Sequence, residues 1–556
     1  MAVCDSLDSE NIRRSIRSGV FLLAFVAGSL LLPPATLAAD TATQVPEPRL
    51  RPSGLEGTVI LDTNDRPSEA TVARFLKAAK GDEAKLLVVL VGEAKAEGIL
   101  DLLKAKKAGW LEILKLDSAA TAKTLFTTDA LGLATGVWLF AAGDPAQTKE
   151  ILGDAAIARE LLGVRLRGGV VAASGAAAWL LPAHFLGAQG KAQAGLAVLP
   201  AMVVSREAKQ ESGVHPLDAT LAQMPAMLGV SLGDGAALFV SGREMRALGK
   251  GPVSLSLARS PAREPRKVAM RPNGQVDYNE MRRAALGRAQ QTPYPPKEAA
   301  TPEVPKGTLI IVGGGGLGAD IAKRFVELGG GAEGTFVVLP ISNPDPLPAN
   351  SGDGFLKRHG AKNILVLKAR EQKELEDPKN IEVLKKASAV WFGGGRQWRF
   401  VDAYEGTKIH ELFRGVLRRG GVIGGSSAGA TIQGDYLCRG APGGPNNIIC
   451  EGYERALGFL PGVAIDQHFT QRNRFKDMVL LMKTYPQFLG IGLDEATAIV
   501  VQGHVAEIMG PNQVHFYDRR KPVVEGQPDH ESLKAGARYD LKERKLLGAK
   551  ETKDTK

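Results

Sequence analysis

Cysteine and histidine are scarce in this chain, whose 556 residues contain only 3 cysteines and 8 histidines. No stretch has the spacing of a metal-binding motif such as H-E-x-x-H, so we expect neither a metal ion nor another cofactor. Apart from the extreme N-terminus, no apolar run is long enough to span a membrane. With 44% apolar and 23% charged residues, the rest has the composition of a globular protein.

The net charge of +10 is not concentrated in one basic segment. Basic residues are dispersed, and many lie at 534–556, where Tyr539 is the only aromatic residue. Nucleic-acid sites combine clustered Lys and Arg with a recognisable binding motif, so this distribution favours an ordinary solvated surface. We therefore expect no nucleic-acid partner.

Residues 1–39 have the pattern of a secretory signal. Arg13, Arg14 and Arg17 precede an apolar core at 20–32, and small residues at 36–39 supply a cleavage site. An uncleaved anchor is the alternative, although a core of about a dozen residues is short for a span. Either way we expect an extracytoplasmic protein, periplasmic or secreted, without membrane contact once the signal is removed.

An oxidising compartment gives the few cysteines a meaning. Cys4 leaves with the signal, and Cys438 and Cys450 remain as an even pair. In an extracytoplasmic protein such a pair predicts a disulfide, which here would close the loop between the two residues.

The remaining chain divides into two folded units. Polar, proline-containing linkers at 40–56 and 291–306 bound a first unit at 57–290. A second unit follows at 307–519, and the polar, lysine-rich residues 520–556 are expected to form a frayed tail.

The two units are copies of each other. Five short sequences of the first unit recur in the same order in the second, at offsets between 250 and 261 residues. Both units alternate β-branched runs with amphipathic segments, which predicts an α/β fold with a mostly parallel sheet flanked by helices. Ligands of such sheets bind at the carboxyl ends of the strands.

The strongest chemical pattern is Gly-Ser-Ser-Ala-Gly at 425–429. It fits the G-x-S-x-G nucleophile elbow, in which a tight strand-to-helix turn presents a serine hydroxyl. A glycine-rich turn without chemistry is the alternative. In the elbow interpretation Ser427 attacks a carbonyl. The oxyanion then accepts hydrogen bonds from the backbone N–H of Ala428 and from the loop that contains Gly394 and Gly395.

A second glycine run satisfies the dinucleotide pattern G-x-G-x-x-G through Gly313, Gly315 and Gly318. No clear acidic residue ends the following strand, where a ribose would be bound. We therefore favour a glycine hairpin beside the active site over a dinucleotide site.

A nucleophilic serine needs a base, and the base needs a third group to orient it. His468 follows an apolar strand and lies in a polar run at 465–474, which makes it the best candidate among the histidines. Glu495 is our preferred third member, and the neighbouring Asp494 is its rival.

The chain resembles the cyanophycinases of serine peptidase family S51 in three separated segments: 425–430, 466–474 and 490–501. The resemblance covers about residues 307–510. It implies a fold like that of class I glutamine amidotransferases and a triad of Ser427, His468 and Glu495. The family releases β-Asp-Arg dipeptides from cyanophycin, a poly-aspartate chain that carries arginine on each β-carboxyl group.

The resemblance further implies a set of substrate-binding residues: Gln397, Asp466, Gln467, Arg472 and Arg474. Two positions depart from the family pattern, since Arg396 replaces an acidic residue and Asp477 replaces a further arginine. The implied partner is a cyanophycin-like polymer or another peptide. An exopeptidase for other aspartyl or isoaspartyl peptides is the enzymatic alternative.

The first copy lacks all three triad residues. Gly175, Glu207 and Asp234 stand at the corresponding positions. Because glycine cannot attack a carbonyl, we predict that this copy is degenerate and catalytically silent. It could serve packing, substrate docking or an intramolecular pseudo-dimer, with a homodimer as the alternative assembly. The non-enzymatic alternative for the chain is a binding protein with two degenerate sites.

Overall fold

The computed structural model describes residues 49–549, except 106–108, 125–129, 153–154, 208–214 and 348–351. The predicted signal at 1–39, most of the linker at 40–56 and the end of the predicted tail lie outside the described residues. From Leu50 onward the chain forms one compact unit. Among the described residues, no helix is both long enough and apolar enough to cross a membrane.

The first copy alternates strands with helices and then continues into antiparallel strands. Its strands are β1 (Leu55–Asp62), β2 (Lys85–Val91), β3 (Trp110–Leu116), β4 (Gly136–Ala141), β5 (Val170–Gly175), β6 (Pro182–Leu186), β7 (Ala192–Ala194), β8 (Leu199–Arg206), β9 (Leu228–Leu232), β10 (Ala236–Gly242), β11 (Glu244–Gly249), β12 (Val253–Leu257), β13 (Arg266–Met270) and β14 (Gln275–Asp277). Its helices are α1 (Glu69–Ala78), α2 (Glu97–Ala105), α3 (Ala119–Thr124), α4 (Ala130–Leu133), α5 (Pro145–Leu152), α6 (Ala155–Leu166), α7 (Pro216–Gln223) and α8 (Tyr278–Arg288).

The second copy repeats this order of elements. Its strands are β15 (Val304–Val312), β16 (Thr335–Leu339), β17 (Asn363–Val366), β18 (Ala389–Phe392), β19 (Val422–Ser426), β20 (Val463–Gln467), β21 (Leu489–Leu493), β22 (Ala498–Gly503), β23 (Val505–Met509), β24 (Gln513–Asp518), β25 (Glu531–Lys534), β26 (Ala537–Asp540) and β27 (Lys545–Ala549). Its helices are α9 (Ala319–Leu328), α10 (Gly354–Arg358), α11 (Gln372–Leu375), α12 (Pro378–Lys386), α13 (Gln397–Tyr404), α14 (Lys408–Arg418), α15 (Ala428–Thr431) and α16 (Phe475–Thr484).

The large sheets of the two copies have the same strand order. The first runs β3-β2-β4-β5-β1-β10-β11-β14, and the second runs β17-β16-β18-β19-β15-β22-β23-β26-β27. In each sheet five parallel strands come first and antiparallel strands follow. The smaller sheets correspond in the same way, with β8-β9-β12-β13 matching β20-β21-β24-β25. The predicted α/β fold with two tandem copies is therefore confirmed.

Buried apolar residues explain why β15 occupies the centre of the second sheet. Leu309, Ile310 and Ile311 are fully buried because helices cover both faces of the sheet. Full burial of one such side chain stabilises the fold by about 1.5–3 kcal/mol. The turn that follows β19, the neighbour of β15, therefore starts from a rigid base.

Several strands extend beyond the predicted boundaries of the copies. β1 and β15 begin at Leu55 and Val304, before the predicted starts at 57 and 307, and an irregularity in strand pairing follows each beginning. The region 520–556 is not a frayed tail up to Ala549. β25 pairs with β24, and β26 pairs with β23 and β27, so these polar residues complete both sheets of the second copy.

Buried ion pairs around α8 join the two copies. Arg283 donates to the carbonyl of Gly452 at 2.7 Å and pairs with Glu405. Arg243 donates to the hydroxyl of Tyr453 at 2.8 Å and also pairs with Asp402. Each of these guanidinium groups is less than one-fifth exposed. Removing either one would take an ion-pair partner from a buried carboxylate and so destabilise the fold.

Candidate active site

Ser427 occupies the tight turn between β19 and α15. Its φ of +57° is unusual for a residue with a side chain, and such strain is typical of functional sites. The flanking glycines are sterically required: a Cβ at Gly425 would overlap the backbone of Gly429, and one at Gly429 would overlap the carbonyl of Phe392. The turn has the geometry expected of a nucleophile elbow.

Three side chains from separate segments form one hydrogen-bonded chain. The Oγ of Ser427 lies 2.8 Å from Nε2 of His468, and Nδ1 of His468 lies 2.6 Å from Oε1 of Glu495. His468 follows β20 and Glu495 follows β21, the two parallel strands of the smaller sheet. Burial lowers the pKa of His468, while Glu495 raises it, and the net direction is downward. The imidazole is thus neutral and ready to accept a proton at neutral pH.

The glycine run at 313–318 lies against this chain of side chains. A Cβ at Gly314 would overlap the His468 ring, and a Cβ at Gly315 would overlap Glu495. The carbonyl of Gly313 accepts a 2.8 Å hydrogen bond from the N–H of His468, and that of Gly314 accepts one of 2.7 Å from Ala496. These glycines thus permit close approach of the backbone to the imidazole and the carboxylate, as expected for a hairpin beside the site.

Asp494, the rival third member, points away from His468. Its Oδ1 accepts a 2.9 Å hydrogen bond from the N–H of Thr470 and lies 3.4 Å from Nε2 of His515. His515 is held in turn by Ser532 of β25, at 2.8 Å. Asp494 therefore fixes the turn that follows His468, and Glu495 is the carboxylate that contacts the imidazole.

Two of the predicted oxyanion donors lie next to Ser427, since Ala428 follows it in the chain and Gly394 lies close to it in space. A Cβ placed on Gly394 would lie 3.5 Å from the Cβ of Ser427. Within the described part of the chain, the backbone N–H groups of Gly394, Gly395 and Ala428 donate to no backbone acceptor outside helices and strands. Ser342 fixes the loop, since its Oγ donates to the carbonyl of Gly394 at 2.6 Å. These N–H groups can therefore donate to an oxyanion.

Two of the predicted substrate-binding residues, Asp466 and Arg474, belong to a buried ionic cluster. Asp466 is 0% exposed and accepts hydrogen bonds from Arg474 at 2.7 Å and from Arg439 at 3.0 Å. Arg474 is 3% exposed and also donates to the carbonyl of Gln467. Asp466 and Arg474 thus contact other residues of the protein, and their role in substrate binding stays a prediction.

The other predicted substrate-binding residues differ in their exposure and in their hydrogen-bond partners. Arg472 is exposed, so its guanidinium can reach a ligand. Gln397 donates both amide hydrogens, to the carbonyls of Cys438 at 2.7 Å and Arg439 at 2.9 Å. Gln467 is buried, and its side-chain oxygen has no hydrogen-bond partner among the described residues.

The predicted disulfide between Cys438 and Cys450 is absent, since both thiols are free and buried. The two side chains lie in different apolar clusters: Cys438 packs with Phe469 and its neighbours, and Cys450 packs with Tyr453 and its neighbours. Backbone hydrogen bonds, such as the 2.6 Å bond between Leu437 and Glu454, close the loop instead. Burial raises the pKa of both thiols.

The corresponding region of the first copy keeps the backbone but not the chemistry. Gly175 has φ +61° and ψ −132°, close to the φ +57° and ψ −113° of Ser427. Glu207 stands in the histidine position, where it pairs with Lys267 at 3.0 Å. Asp234, in the position of the triad acid, is exposed.

Several residues of the site were not identified from the sequence. The side-chain oxygen of Gln471 accepts a 3.0 Å hydrogen bond from the N–H of Glu495, and Asn512 donates to the Glu495 carbonyl at 2.8 Å. Arg439 pairs with Asp466 and, at 2.6 Å, with Asp477. Asp477 was noted only as a departure from the family pattern, and its arginine partner lies 38 residues away, so no local pattern links the two.

Known proteins of one peptidase family are similar in sequence to the second copy. Residues 306–509 match the profile of peptidase family S51. A cyanophycinase from Geminocystis herdmanii is 30% identical over 223 residues, which cover 38% of this chain and 81% of that protein. A cyanophycinase from Trichormus variabilis is 28% identical over 241 residues, or 42% of this chain and 80% of that protein.

Among solved structures, a peptidase from an acI-B1 actinobacterium matches with a TM-score of 0.35 and 21% identity, over 42% of this chain and 97% of that one. The sequence identity to the cyanophycinases and their coverage place the chain in a known class. The chain belongs to peptidase family S51 and is a serine-type hydrolase.

Proposed function

We propose that the second copy hydrolyses cyanophycin, or a closely similar aspartate polymer, to β-Asp-Arg dipeptides through a Ser-His-Glu triad. The observation that carries the proposal is the continuous hydrogen-bonded chain from Ser427 through His468 to Glu495. The substrate is suggested by the cyanophycinases to which the chain is similar.

In this mechanism the Ser427 Oγ attacks the scissile carbonyl carbon while Nε2 of His468 takes its proton. Glu495 accepts the hydrogen bond of Nδ1–H and stabilises the imidazolium. The negative oxygen of the tetrahedral intermediate accepts hydrogen bonds from Gly394 and Ala428. His468 then protonates the leaving amine as the C–N bond breaks. Water, deprotonated by His468, hydrolyses the acyl-enzyme in the same way.

A second candidate is an exopeptidase for other aspartyl or isoaspartyl peptides. It is favoured by the burial of Arg474 in the ion pair with Asp466, which leaves Arg472 as the exposed arginine of the predicted pair. Within this predicted pair, one free arginine suits a ligand with a single carboxylate better than a polymer with a free carboxylate on every repeat unit.

The location outside the cytoplasm is part of the proposal. It rests on the signal-like residues 1–39. N-terminal sequencing of the protein recovered from culture medium and periplasm tests it. An uncut N-terminus in the cytoplasmic fraction would contradict it.

The activity is tested by product analysis of purified protein incubated with cyanophycin, with α-aspartyl dipeptides and with isoaspartyl dipeptides. β-Asp-Arg released from the polymer supports the first candidate, whereas cleavage of dipeptides alone supports the second. The matched control is Ser427→Ala, which keeps the fold but lacks the nucleophile. If wild-type protein cleaves none of these and Ser427 resists fluorophosphonate, a binding protein is the better account.

A further inference from the structure

Three arginines lie at the carboxyl edge of the large sheet, next to the Gly394 loop. Arg370 and Arg399 both donate to the carbonyl of Asn343, at 2.5 and 2.8 Å. Arg396 donates to the carbonyl of Ala441 at 2.5 Å. Sequence analysis identified Arg396 only as a departure from the family pattern, and the other two arginines were not identified.

This group, the Arg370–Arg396–Arg399 cluster, is one loop away from the nucleophile. The amide of Asn343 lies 3.4 Å from the carbonyl of Gly394, and Gly394 lies against Ser427. Gly394 and Gly395 are exposed, so a ligand can enter from solvent at this point. A peptide bound to Ser427 would therefore have its neighbouring groups beside the cluster.

The positive charge of the cluster is not balanced. Arg370 pairs with Asp345 at 2.6 Å, but that carboxylate is 73% exposed. Within the described ranges, Arg396 and Arg399 have no carboxylate within ion-pair distance. The Nε atoms of all three arginines are buried and have no hydrogen-bond partner in the part of the chain that the structure describes. Unpartnered buried donors are costly in a folded protein, although the Nε atoms of Arg165 and Arg414 are in the same state far from this cluster.

The electrostatics agree with the geometry. Burial lowers the pKa of both Arg396 and Arg399. The charges of Arg370 and Arg243 lower that of Arg399 further, and Asp345 only partly offsets them. Arginine nevertheless stays charged at neutral pH. A bound anion would relieve the repulsion and offset the burial of these groups.

We propose that Arg396 and Arg399 form an anion-binding subsite, which binds a free carboxylate of the peptide attacked by Ser427. The proposal rests on the proposed peptidase function and narrows its substrate class to acidic peptides with a free carboxylate close to the scissile bond. It moves carboxylate recognition away from Arg474, which is buried in its pair with Asp466. Guanidinium groups suit this role because they bind carboxylates through paired hydrogen bonds.

The kinetic test compares an aspartyl peptide that has a free carboxylate with the same peptide in which that group is amidated. Arg396→Gln and Arg399→Gln should raise KM for the free acid about tenfold or more and leave kcat nearly unchanged. The amidated peptide should show little change. Arg396→Lys should retain much of the affinity. The control is Arg418→Gln, which replaces an arginine that is 63% exposed at the end of α14.

The binding test does not require hydrolysis. Calorimetry with succinate on full-length Ser427→Ala protein should detect binding that Arg396→Gln weakens about tenfold or more. If succinate binds through the arginines but no peptide is cleaved, the subsite stands and the peptidase proposal fails. If peptides are cleaved and both arginine variants treat acid and amide alike, the subsite proposal is overturned. Absence of succinate binding at millimolar concentration overturns it as well.

Discussion

The two copies of this chain have nearly the same backbone at the critical turn and opposite chemical capacity. Both turns place a residue with φ near +60° after the equivalent strand, but the residue is Gly175 in one copy and Ser427 in the other. Glycine adopts this conformation without strain, whereas serine does so only where the surrounding structure enforces it. The backbone conformation of the elbow is therefore a property of the fold, and the serine side chain supplies the hydroxyl group.

The same contrast holds for the loop beside the elbow. β4 and β18 are equivalent strands, and counting from them places Gly143 and Ala146 opposite Arg396 and Arg399. The first copy thus lacks both the nucleophile and the unbalanced charge. Through Arg243 and α8 it contacts the second copy.

The largest expected effect comes from replacing the serine of the elbow in the second copy. Ser427→Ala should lower kcat about 10⁶-fold, because the covalent step is lost. Adding Gly175→Ser to this variant should restore nothing, since a Cβ at Gly175 would overlap the carbonyl of Ala141 and the histidine position is held by Glu207, which is paired with Lys267. Peptide hydrolysis and fluorophosphonate labelling measure both. Recovered activity in the double variant would show that the first copy is competent.

The acid of the triad gives the next largest effect. Glu495→Gln should lower kcat about 10⁴-fold, because the imidazole loses the carboxylate that orients it and stabilises its charge. Asp494→Asn is the matched control: it changes a neighbouring carboxylate that contacts Thr470 rather than His468. Equal losses in the two variants would contradict the assignment of Glu495.

Substitution of a buried arginine between the two copies should lower the stability of the protein. Arg283→Ala should lower the free energy of unfolding by about 3–5 kcal/mol, because Glu405 and Asp402 lose a buried partner. Arg74→Ala removes an ion pair that is about one-third exposed, and it should cost at most about 1 kcal/mol. Urea denaturation measures both. Similar small losses would mean that the copies are held together mainly by other contacts.

The smallest effect is a pH dependence that only the second copy can show. Because the pKa of His468 lies below its usual 6.5, kcat/KM should rise with pH to a half-maximum below 6.5. Glu495 opposes this shift, so Glu495→Gln should move the residual acidic limb to still lower pH.

The same pKa shift predicts a stability change with a definite sign. The folded state holds His468 neutral, so its contribution is fully present above pH 6.5 and is lost as the pH falls through the folded-state pKa. A half-maximum of kcat/KM above 6.5 would show that charge, rather than burial, dominates at His468.

Much of the site's composition could be anticipated from local sequence. The turn at Ser427 is encoded by adjacent small residues, and His468 and Glu495 each follow an apolar strand. The partners of Asp466 could not be anticipated, because Arg439 and Arg474 contact it from different segments. The strands β25 to β27 were also missed, since their polar residues are stabilised by sheet pairing rather than by an apolar pattern.

The sequence by itself determined the duplicated α/β order, the elbow and the candidate triad, because these follow from local periodicity, glycine positions and strand ends. Only the tertiary structure decided which arginines are buried in pairs and which remain unbalanced beside the nucleophile. The physical reason is that the burial and pairing of a charged side chain depend on residues that folding brings together from distant segments.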